Sequence, residues 1–153
     1  MFKWRKFQNL SGMERWLLVQ AFSLLLFTAP ALRLFGFKRL SELARRVPMS
    51  NAPTRNEAEL ATLARTIART ARIAADQVPY PVNCLQRSIV LWWLLRRYGI
   101  KSDLRVGVRK SPGQLEAHAW VECLGNVLND GEDVHSHFAP FDRAILPVEV
   151  KAQ

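Results

Sequence analysis

The sequence predicts an α+β domain in which a cysteine-bearing helix packs on an antiparallel sheet, preceded by an N-terminal helical hairpin. Helical patterns occupy the chain up to Gly99, after which the hydrophobic period changes from 3.6 to 2. Consecutive strand patterns without helices between them are typical of an antiparallel sheet. With 153 residues, 49% of them hydrophobic and 23% charged, the chain has the size and composition of one folded domain.

The N-terminal segment predicts two helices and a linker. Ser11 is a suitable N-cap for a helix over residues 11–29, and Glu14 completes a capping box. Pro30 ends or kinks this helix, and a shorter one follows from residue 31 to about residue 46. Two prolines and several polar turn formers then predict a linker over residues 47–56, which separates an N-terminal segment, residues 1–46, from a main domain, residues 57–153.

The first 46 residues also raise the question of a membrane segment. The stretch over residues 16–37 is apolar, but Gln20, Pro30 and Arg33 interrupt it, and a span needs about 20 apolar residues. We predict no stable membrane span and a helix that is buried or lies at an interface. Two cysteines without a disulfide framework fit a reducing compartment, so we expect a cytoplasmic protein with, at most, peripheral membrane contact through these helices.

The next helix begins after Asn56, a good N-cap, and has acidic residues in its first turn. Its predicted inward stripe follows helical spacing: Leu60, Leu63, Ile67, Thr70, Ala71 and Ala74. Another face carries three arginines: Arg65, Arg69 and Arg72. These are either solvated charges or part of a track for an anionic peptide, and the sequence leaves both interpretations open.

A third helix follows VPYPVN, residues 78–83, because the two prolines prevent the preceding helix from continuing. Asn83 is a good N-cap, and Cys84 takes the first helical position. Gly99 supplies the left-handed residue that ends the helix near Tyr98. Apolar residues occupy much of the circumference of this helix, as a central helix packed on a sheet requires.

Strand patterns occupy the region after this helix. DLRVGVRK, residues 103–110, alternates apolar and polar residues, and LEAHAWVECLGNVLND, residues 115–130, predicts two strands joined at residues 124–126. The tail over residues 134–153 is too short and too interrupted by proline for an assignment.

Cys84 has the setting of a reactive thiol, because the unpaired N–H groups and the dipole of a helix N-terminus favour a thiolate. His118, inside a strand pattern, is the candidate base, and Asp130, at the end of the next strand, is the candidate that orients the imidazole. A two-residue turn at Gly125–Asn126 would leave His118 and Asp130 on opposite faces. Strand parity therefore requires a three-residue connection at residues 124–126 or an equivalent bulge.

These residues also have structural interpretations. Cys84 can be a buried small hydrophobe, and Cys123 is expected to pack inertly on the sheet face opposite His118. Trp120 is either a core residue or a wall of an active-site cleft. A weak metal signature occurs where three side chains would share one face of an extended segment: Asp133, His135 and His137. We nevertheless predict no metal and no cofactor.

The net charge of +9 is unevenly distributed. Residues 1–50 hold nine basic and two acidic residues, residues 51–110 eleven and four, and residues 111–153 two and seven. This distribution is compatible with nucleic acid, an anionic membrane or an acidic peptide as partner, so a non-catalytic basic adaptor is one hypothesis. The order of Cys84, His118 and Asp130, which an adaptor does not need, favours an enzyme without a nucleic-acid partner.

Three segments, NCLQRSIVLWWLLRRYGI, LRVGVRK and LEAHAWVECLGNVLND, resemble the leader peptidases of lasso-peptide biosynthesis in order and spacing. Those enzymes are cysteine proteases with a transglutaminase-like, papain-like core. The helix-borne cysteine, the histidine two residues before a tryptophan and four before a glutamate, and the aspartate a dozen residues later carry the resemblance, over about residues 80–131.

The resemblance implies hydrolysis of a ribosomally made precursor between leader and core, with Cys84 as nucleophile, His118 as general base and then acid, and Asp130 as orienter. Backbone N–H groups at the start of the Cys84 helix would bind the oxyanion, with Asn83 or Gln86 as a candidate side-chain donor. An acyltransferase that passes the thioester to an amine would use the same three residues and is the alternative activity.

The resemblance also implies three partners: the precursor peptide, a separate leader-recognition protein, and an ATP-dependent macrocyclase that acts on the released core. We expect the recognition protein and the leader to use the basic N-terminal helices or the arginine face around Arg65.

Overall fold

Three long helices and a small antiparallel sheet form the fold. The computed structural model describes residues 11–46, 48–49 and 55–140. In chain order the elements are α1 (Gly12–Arg45), α2 (Glu57–Ala75), α3 (Cys84–Arg97), β1 (Asp103–Ser111), β2 (Gln114–Cys123), β3 (Asn126–Val127), α4 (Val134–His137) and β4 (Ala139–Pro140). The predicted α+β class is confirmed. Most of the predicted linker and the ends of both predicted domains lie outside the described residues, so the domain boundary stays a prediction.

Helix α1 begins as predicted but is interrupted at a different residue. Ser11 Oγ accepts a hydrogen bond from the Glu14 N–H at 3.3 Å, and the Ser11 N–H donates to the Glu14 carboxylate at 2.8 Å. The helix continues through Pro30, and non-helical backbone occurs at Gly36, with φ 72° and ψ 165°. Such a backbone conformation is accessible almost only to glycine. The predicted end of the first helix at Pro30 is therefore wrong: α1 consists of two helical stretches, and they meet at a kink at Gly36.

One face of α1 is buried in the core and another is exposed. Leu17, Ala21 and Leu25 are fully buried in the hydrophobic cluster that also contains residues of α2 and α3. By length and composition alone α1 could cross a membrane, since an 18-residue window has a mean hydropathy of 1.7. A core helix passes the same test, and 28% of this window is buried within the protein. The packing agrees with the prediction of a helix that is buried or lies at an interface, since one side of α1 is in the core and the other is exposed.

Helices α2 and α3 begin at the predicted caps. Asn56 Oδ1 accepts from the Glu59 N–H at 2.8 Å. The side chains of Asn83 and Gln86 each accept from the other's N–H, at 2.8 and 3.0 Å, and form a capping box at the start of α3. At the end of α3, Gly99 has φ 76° and the Ile100 N–H donates to the Leu95 carbonyl at 2.9 Å, as in a Schellman motif.

The sheet has the strand order β3-β2-β1-β4, and each neighbouring pair is antiparallel. On one face Leu104 and Val121, which are register partners, are buried in the cluster with α3. On the other face, His118 is paired with Gly107. A Cβ at Gly107 would lie 2.8 Å from the Trp120 ring and 2.9 Å from the Ala139 carbonyl oxygen. Glycine at this position therefore lets β4 and the indole approach β1 closely.

Candidate active site

His118 and Asp130 are in direct contact. His118 Nε2 is hydrogen-bonded to Asp130 Oδ2, and the Gly131 N–H donates to Asp130 Oδ1 at 2.8 Å. About a quarter of the His118 side chain and a third of the Asp130 side chain are exposed, at 24% and 34%. When the Asp130 carboxylate is ionised it only accepts hydrogen bonds, so a neutral imidazole in this pair carries its proton on Nε2, and Nδ1 is the ring nitrogen that can accept one.

The turn that brings Asp130 to His118 differs from the predicted one. Cys123 pairs with Asn126, so the connection is the two-residue turn Leu124–Gly125, with φ values of 51° and 78°. Positive φ at both central residues is the mark of a type I′ turn. The three-residue connection that strand parity required is therefore wrong.

Strand parity does not determine the position of Asp130, because β3 ends before it. β3 covers only residues 126–127, so Asp130 does not belong to a strand. Strand alternation therefore does not determine the sheet face on which its side chain lies. The segment after β3 bends around the open edge of β2 and carries Asp130 to His118.

Two polar side chains replace the missing strand along the open edge of β2. Asn129 Oδ1 accepts from the Val121 N–H at 2.8 Å, and Asn129 Nδ2 donates to Ser88 Oγ at 2.8 Å. Ser88, which is fully buried, donates to the Ala119 carbonyl at 2.9 Å. The network connects α3, β2 and the segment that carries Asp130.

Cys84 is the first residue of α3, and its side chain is partly exposed. Ser88 follows it by four residues and therefore lies on the same side of the helix, about 6 Å further along the axis. Ser88 is bonded to the carbonyl of Ala119, the residue after His118, and this bond ties α3 to the open edge of β2. Within the residues that the structure describes, no hydrogen bond joins Cys84 Sγ to His118.

The first turn of α3 leaves two backbone donors unused by the helix. The capping box uses the N–H groups of Asn83 and Gln86, and the Arg87 N–H donates to the Asn83 carbonyl at 3.1 Å. The N–H groups of Cys84 and Leu85 are the remaining donors of this turn. Both residues that were candidates for a side-chain oxyanion donor, Asn83 and Gln86, use their amide oxygens in the cap and keep their NH₂ groups available.

Aromatic rings surround the imidazole of His118. Phe138 stacks on it at a centroid distance of 4.9 Å, and Trp120 at 6.3 Å. Trp120 is fully buried, and its indole N–H donates to Glu122 Oε1 at 2.8 Å. The three residues of the pattern His-x-Trp-x-Glu therefore lie on one face of β2. Trp120 packs beside His118, and Glu122 accepts the hydrogen bond of the buried indole N–H.

The three residues of the weak metal signature do not converge. His135 Nε2 lies 3.1 Å from Glu122 Oε1, whereas His137 Nε2 lies 3.1 Å from Asp133 Oδ2. The segment forms the helical turn α4 instead of an extended strand, so alternate side chains do not share a face. In the described part of the chain no group of three His, Cys, Asp or Glu residues has the geometry of a metal site.

Cys123 lies in a different environment from that of Cys84. It is 4% exposed, and its thiol hydrogen-bonds to the Lys101 carbonyl at 3.4 Å. Burial, together with the negative charge of Asp103, raises the pKa of the Cys123 thiol. Both cysteines are free thiols.

Comparison with known families identifies one matching superfamily. The family model of the transglutaminase-like superfamily matches residues 25–143, which is well over half of the chain. The chain belongs to the transglutaminase-like superfamily. No curated protein and no solved structure is significantly similar to it.

Members of the transglutaminase-like superfamily are typically catalytic, with chemistry like that of cysteine proteases. This membership fits a cysteine peptidase or an acyltransferase. In this transglutaminase-like chain, Ser88 and Asn129 were not singled out by sequence reasoning. A weak signal existed for each, since Ser88 lies one turn after Cys84 and Asn129 directly precedes Asp130.

A cleft of about 600 Å³ opens beside Asp130 in this transglutaminase-like core. Residues of α2 and α3 form much of its lining, together with the segment after β3. We name it the arginine cleft after four of its lining residues: Arg65, Arg69, Arg72 and Arg87.

Proposed function

We propose that the chain is a cysteine peptidase that removes the leader from a ribosomally synthesised lasso precursor peptide. Cys84 is the nucleophile, His118 the general base and then the general acid, and Asp130 the orienter of the imidazole. The observation that supports this most is the bond between His118 Nε2 and Asp130, beside the edge of β2 to which Ser88 ties α3. The membership of the transglutaminase-like superfamily and the resemblance to lasso leader peptidases agree with it.

The His118–Asp130 bond determines which nitrogen takes part in proton transfer. With the proton held on Nε2, Nδ1 accepts the proton of the Cys84 thiol. The thiolate sulfur then forms a bond to the scissile carbonyl carbon, and the carbonyl oxygen becomes an oxyanion. The N–H groups of Cys84 and Leu85 at the start of α3 are the donors that stabilise it.

The second half of the reaction returns the proton and releases the products. The tetrahedral intermediate collapses, the C–N bond breaks, and protonated His118 gives its proton to the amine of the core. A leader thioester on Cys84 remains. His118 then removes a proton from water, which attacks the thioester, and the leader leaves as a carboxylic acid while the Cys84 thiol is restored.

Leader recognition belongs, in this proposal, to a separate protein. Among the described residues, α1, α2, α3 and the sheet contribute to one hydrophobic cluster, so each of these elements has a place in the core of the peptidase itself. The released core amine is the substrate for an ATP-dependent macrocyclase, the third partner that the family resemblance implies.

The direct test is incubation of the chain with a lasso precursor and its recognition protein, followed by mass spectrometry. The proposal predicts a leader fragment and a core fragment whose masses together exceed that of the precursor by one water. The Cys84→Ala variant is expected to leave the precursor intact. A product in which the leader is linked to an amine would instead establish the acyltransferase, and unchanged activity in the Cys84→Ala variant would contradict both enzymes.

A further inference from the structure

The arginine cleft contains a marked excess of positive charge. Its four arginines are exposed, and the one carboxylate among the described residues that line it is Asp130. That carboxylate is already bonded to His118 and to the Gly131 N–H. Arg69 is paired with Glu14 of α1. Among the described residues no ion pair is made by the other three: Arg65, Arg72 and Arg87.

The floor of the arginine cleft is apolar. It is formed by side chains of the helices and of the segment after β3: Leu25, Ala68, Ala71, Val90, Leu91 and Leu128. Uncompensated guanidinium groups around an apolar floor complement a ligand that presents both carboxylates and aliphatic side chains. A carboxylate-rich peptide with interspersed apolar residues has this composition, because alternate side chains of an extended peptide point to opposite sides.

One of the three proposed site residues, Asp130, lines the arginine cleft. Arg87 and Leu91 follow Cys84 by three and seven residues, so these side chains lie along one side of α3 with Cys84 at its N-terminal end. Asp130 contributes to the lining from the other wall. A peptide that binds in the cleft therefore lies against Asp130, which is bonded to His118, and against the side of α3 that begins with Cys84.

We propose that the arginine cleft is the substrate-binding channel of the peptidase and that it selects an acidic, apolar segment of the peptide that is cleaved. This inference rests on the proposed function for the identity of the peptide as substrate. Binding in the cleft, however, depends on charge and shape and can be measured without hydrolysis.

The test uses the full chain with the Cys84→Ala substitution and short fluorescein-labelled peptides. One peptide alternates glutamate and leucine, and its matched partner alternates glutamine and leucine. Fluorescence anisotropy at an ionic strength of about 0.15 M is expected to show that the glutamate peptide binds at least roughly tenfold more tightly. Equal affinity for the two peptides would overturn the proposal.

Charge reversal locates the binding site. Arg72→Glu and Arg87→Glu are each expected to weaken binding of the glutamate peptide by roughly tenfold. Arg39→Glu makes the same charge change at an exposed position of α1 that does not line the cleft, and it is expected to have less than about a twofold effect. An equal loss in the Arg39→Glu variant would assign the binding to general charge attraction and overturn the proposal.

A gain of binding separates a specific effect from misfolding. The Arg72→Glu variant is expected to bind a peptide of alternating lysine and leucine more tightly than the Arg72 parent does, which a misfolded variant cannot do. If the variant shows no such gain, the result counts against the proposed role of the cleft in peptide binding. If the acidic peptide binds but no lasso precursor is cut, acidic peptide binding in the cleft is supported and the proposed peptidase function fails. If the precursor is cut but the glutamate peptide binds no more tightly than the glutamine peptide, the peptidase function is supported and the proposed selectivity of the cleft fails.

Discussion

At the scale of single residues, the two cysteines occupy opposite environments. Cys84 is partly exposed at a helix N-terminus, where a reagent can reach its thiol. Cys123 is buried, and burial and Asp103 raise the pKa of its thiol. With limiting iodoacetamide near neutral pH, Cys84 is therefore expected to be alkylated at least roughly tenfold faster than Cys123.

Peptide mass spectrometry measures this difference directly. In denaturant the two thiols should react at similar rates, which serves as the control. Equal rates in the folded protein, or faster modification of Cys123, would contradict the assignment of Cys84 as the nucleophile.

Asp130 is a positioning residue in this account, because it acts on the substrate through His118. Asp130→Ala removes the acceptor from Nε2, so the imidazole loses its fixed orientation and tautomer. We expect kcat for precursor cleavage to fall by roughly 100-fold or more, with a smaller effect on KM. Asp133→Ala, three residues further on, removes a carboxylate that pairs with His137 and should change kcat by less than about twofold; a comparable loss there would contradict the role of Asp130.

At the scale of elements, local signals were sufficient for the capped ends of the helices. The caps at Ser11, Asn56 and Asn83 and the terminator Gly99 are found where the sequence places them, because each acts on its own helix end. The kink of α1 was assigned to Pro30 instead of Gly36. Pro30 lacks one hydrogen-bond donor but can remain in a helix that is held by packing, whereas the positive φ at Gly36 is not compatible with a helix.

The connection between β2 and Asp130 could not be predicted from strand alternation. The sequence suggested a strand up to Asp130, whereas the ladder ends at Val127 and Asn129 completes it through its side chain. The Asn129 side chain takes the place of strand pairing only because it also bonds to Ser88 of α3, which is distant in sequence. The identity of Asp130 as a partner of His118 followed from residue order, but the path of the chain to it depends on tertiary packing.

Asn129→Ala tests this connection between elements. The substitution leaves the Val121 N–H without its partner and removes the donor to Ser88, so we expect a loss of about 1–3 kcal/mol in the free energy of unfolding and reduced cleavage activity. Asn126→Ala is the matched control, because the exposed Asn126 side chain bonds only to the nearby Leu124 carbonyl and should cost less than about 0.5 kcal/mol. Denaturant titrations that gave equal losses would contradict the role of Asn129.

At the scale of the whole molecule, α1 is held on the core by apolar packing and by the contact between Glu14 and Arg69 of α2. The Ser11 N–H, the Ser11 hydroxyl and Arg69 lower the pKa of the Glu14 carboxyl below 4.5, against a smaller opposing effect of burial. A lowered pKa means that the stabilisation by Glu14 is present above pH 4.5 and is lost as the pH falls through the folded-state pKa.

The pH dependence of Tm checks this contribution. The difference in Tm between the parent chain and Glu14→Gln should be larger at about pH 7 than at about pH 3, because Glu14 loses its charge in acid. A difference that stays constant with pH, or that grows in acid, would show that the Glu14 charge does not stabilise the fold.

Part of the basic charge of the chain lies in one cleft of the fold. The arginines of α2, which the sequence left either solvated or part of a peptide track, line a cleft together with Arg87 of α3 and Asp130. Helical spacing alone places Arg65, Arg69 and Arg72 on one face of α2. The packing of α3 and of the segment after β3 against that face cannot be derived from local pattern, and it turns a charged helix face into a cleft beside the candidate active site.

The central claim is that the Cys84 sulfur forms a covalent bond with the leader. Its most direct measurement is rapid acid quenching of the chain mixed with a lasso precursor and its recognition protein, followed by intact and peptide mass spectrometry. The account predicts a species with the mass of the chain plus the leader acyl group, located on Cys84 and missing in the Cys84→Ala variant. Cleavage that proceeds in the Cys84→Ala variant, or a leader adduct on a different residue, would contradict it.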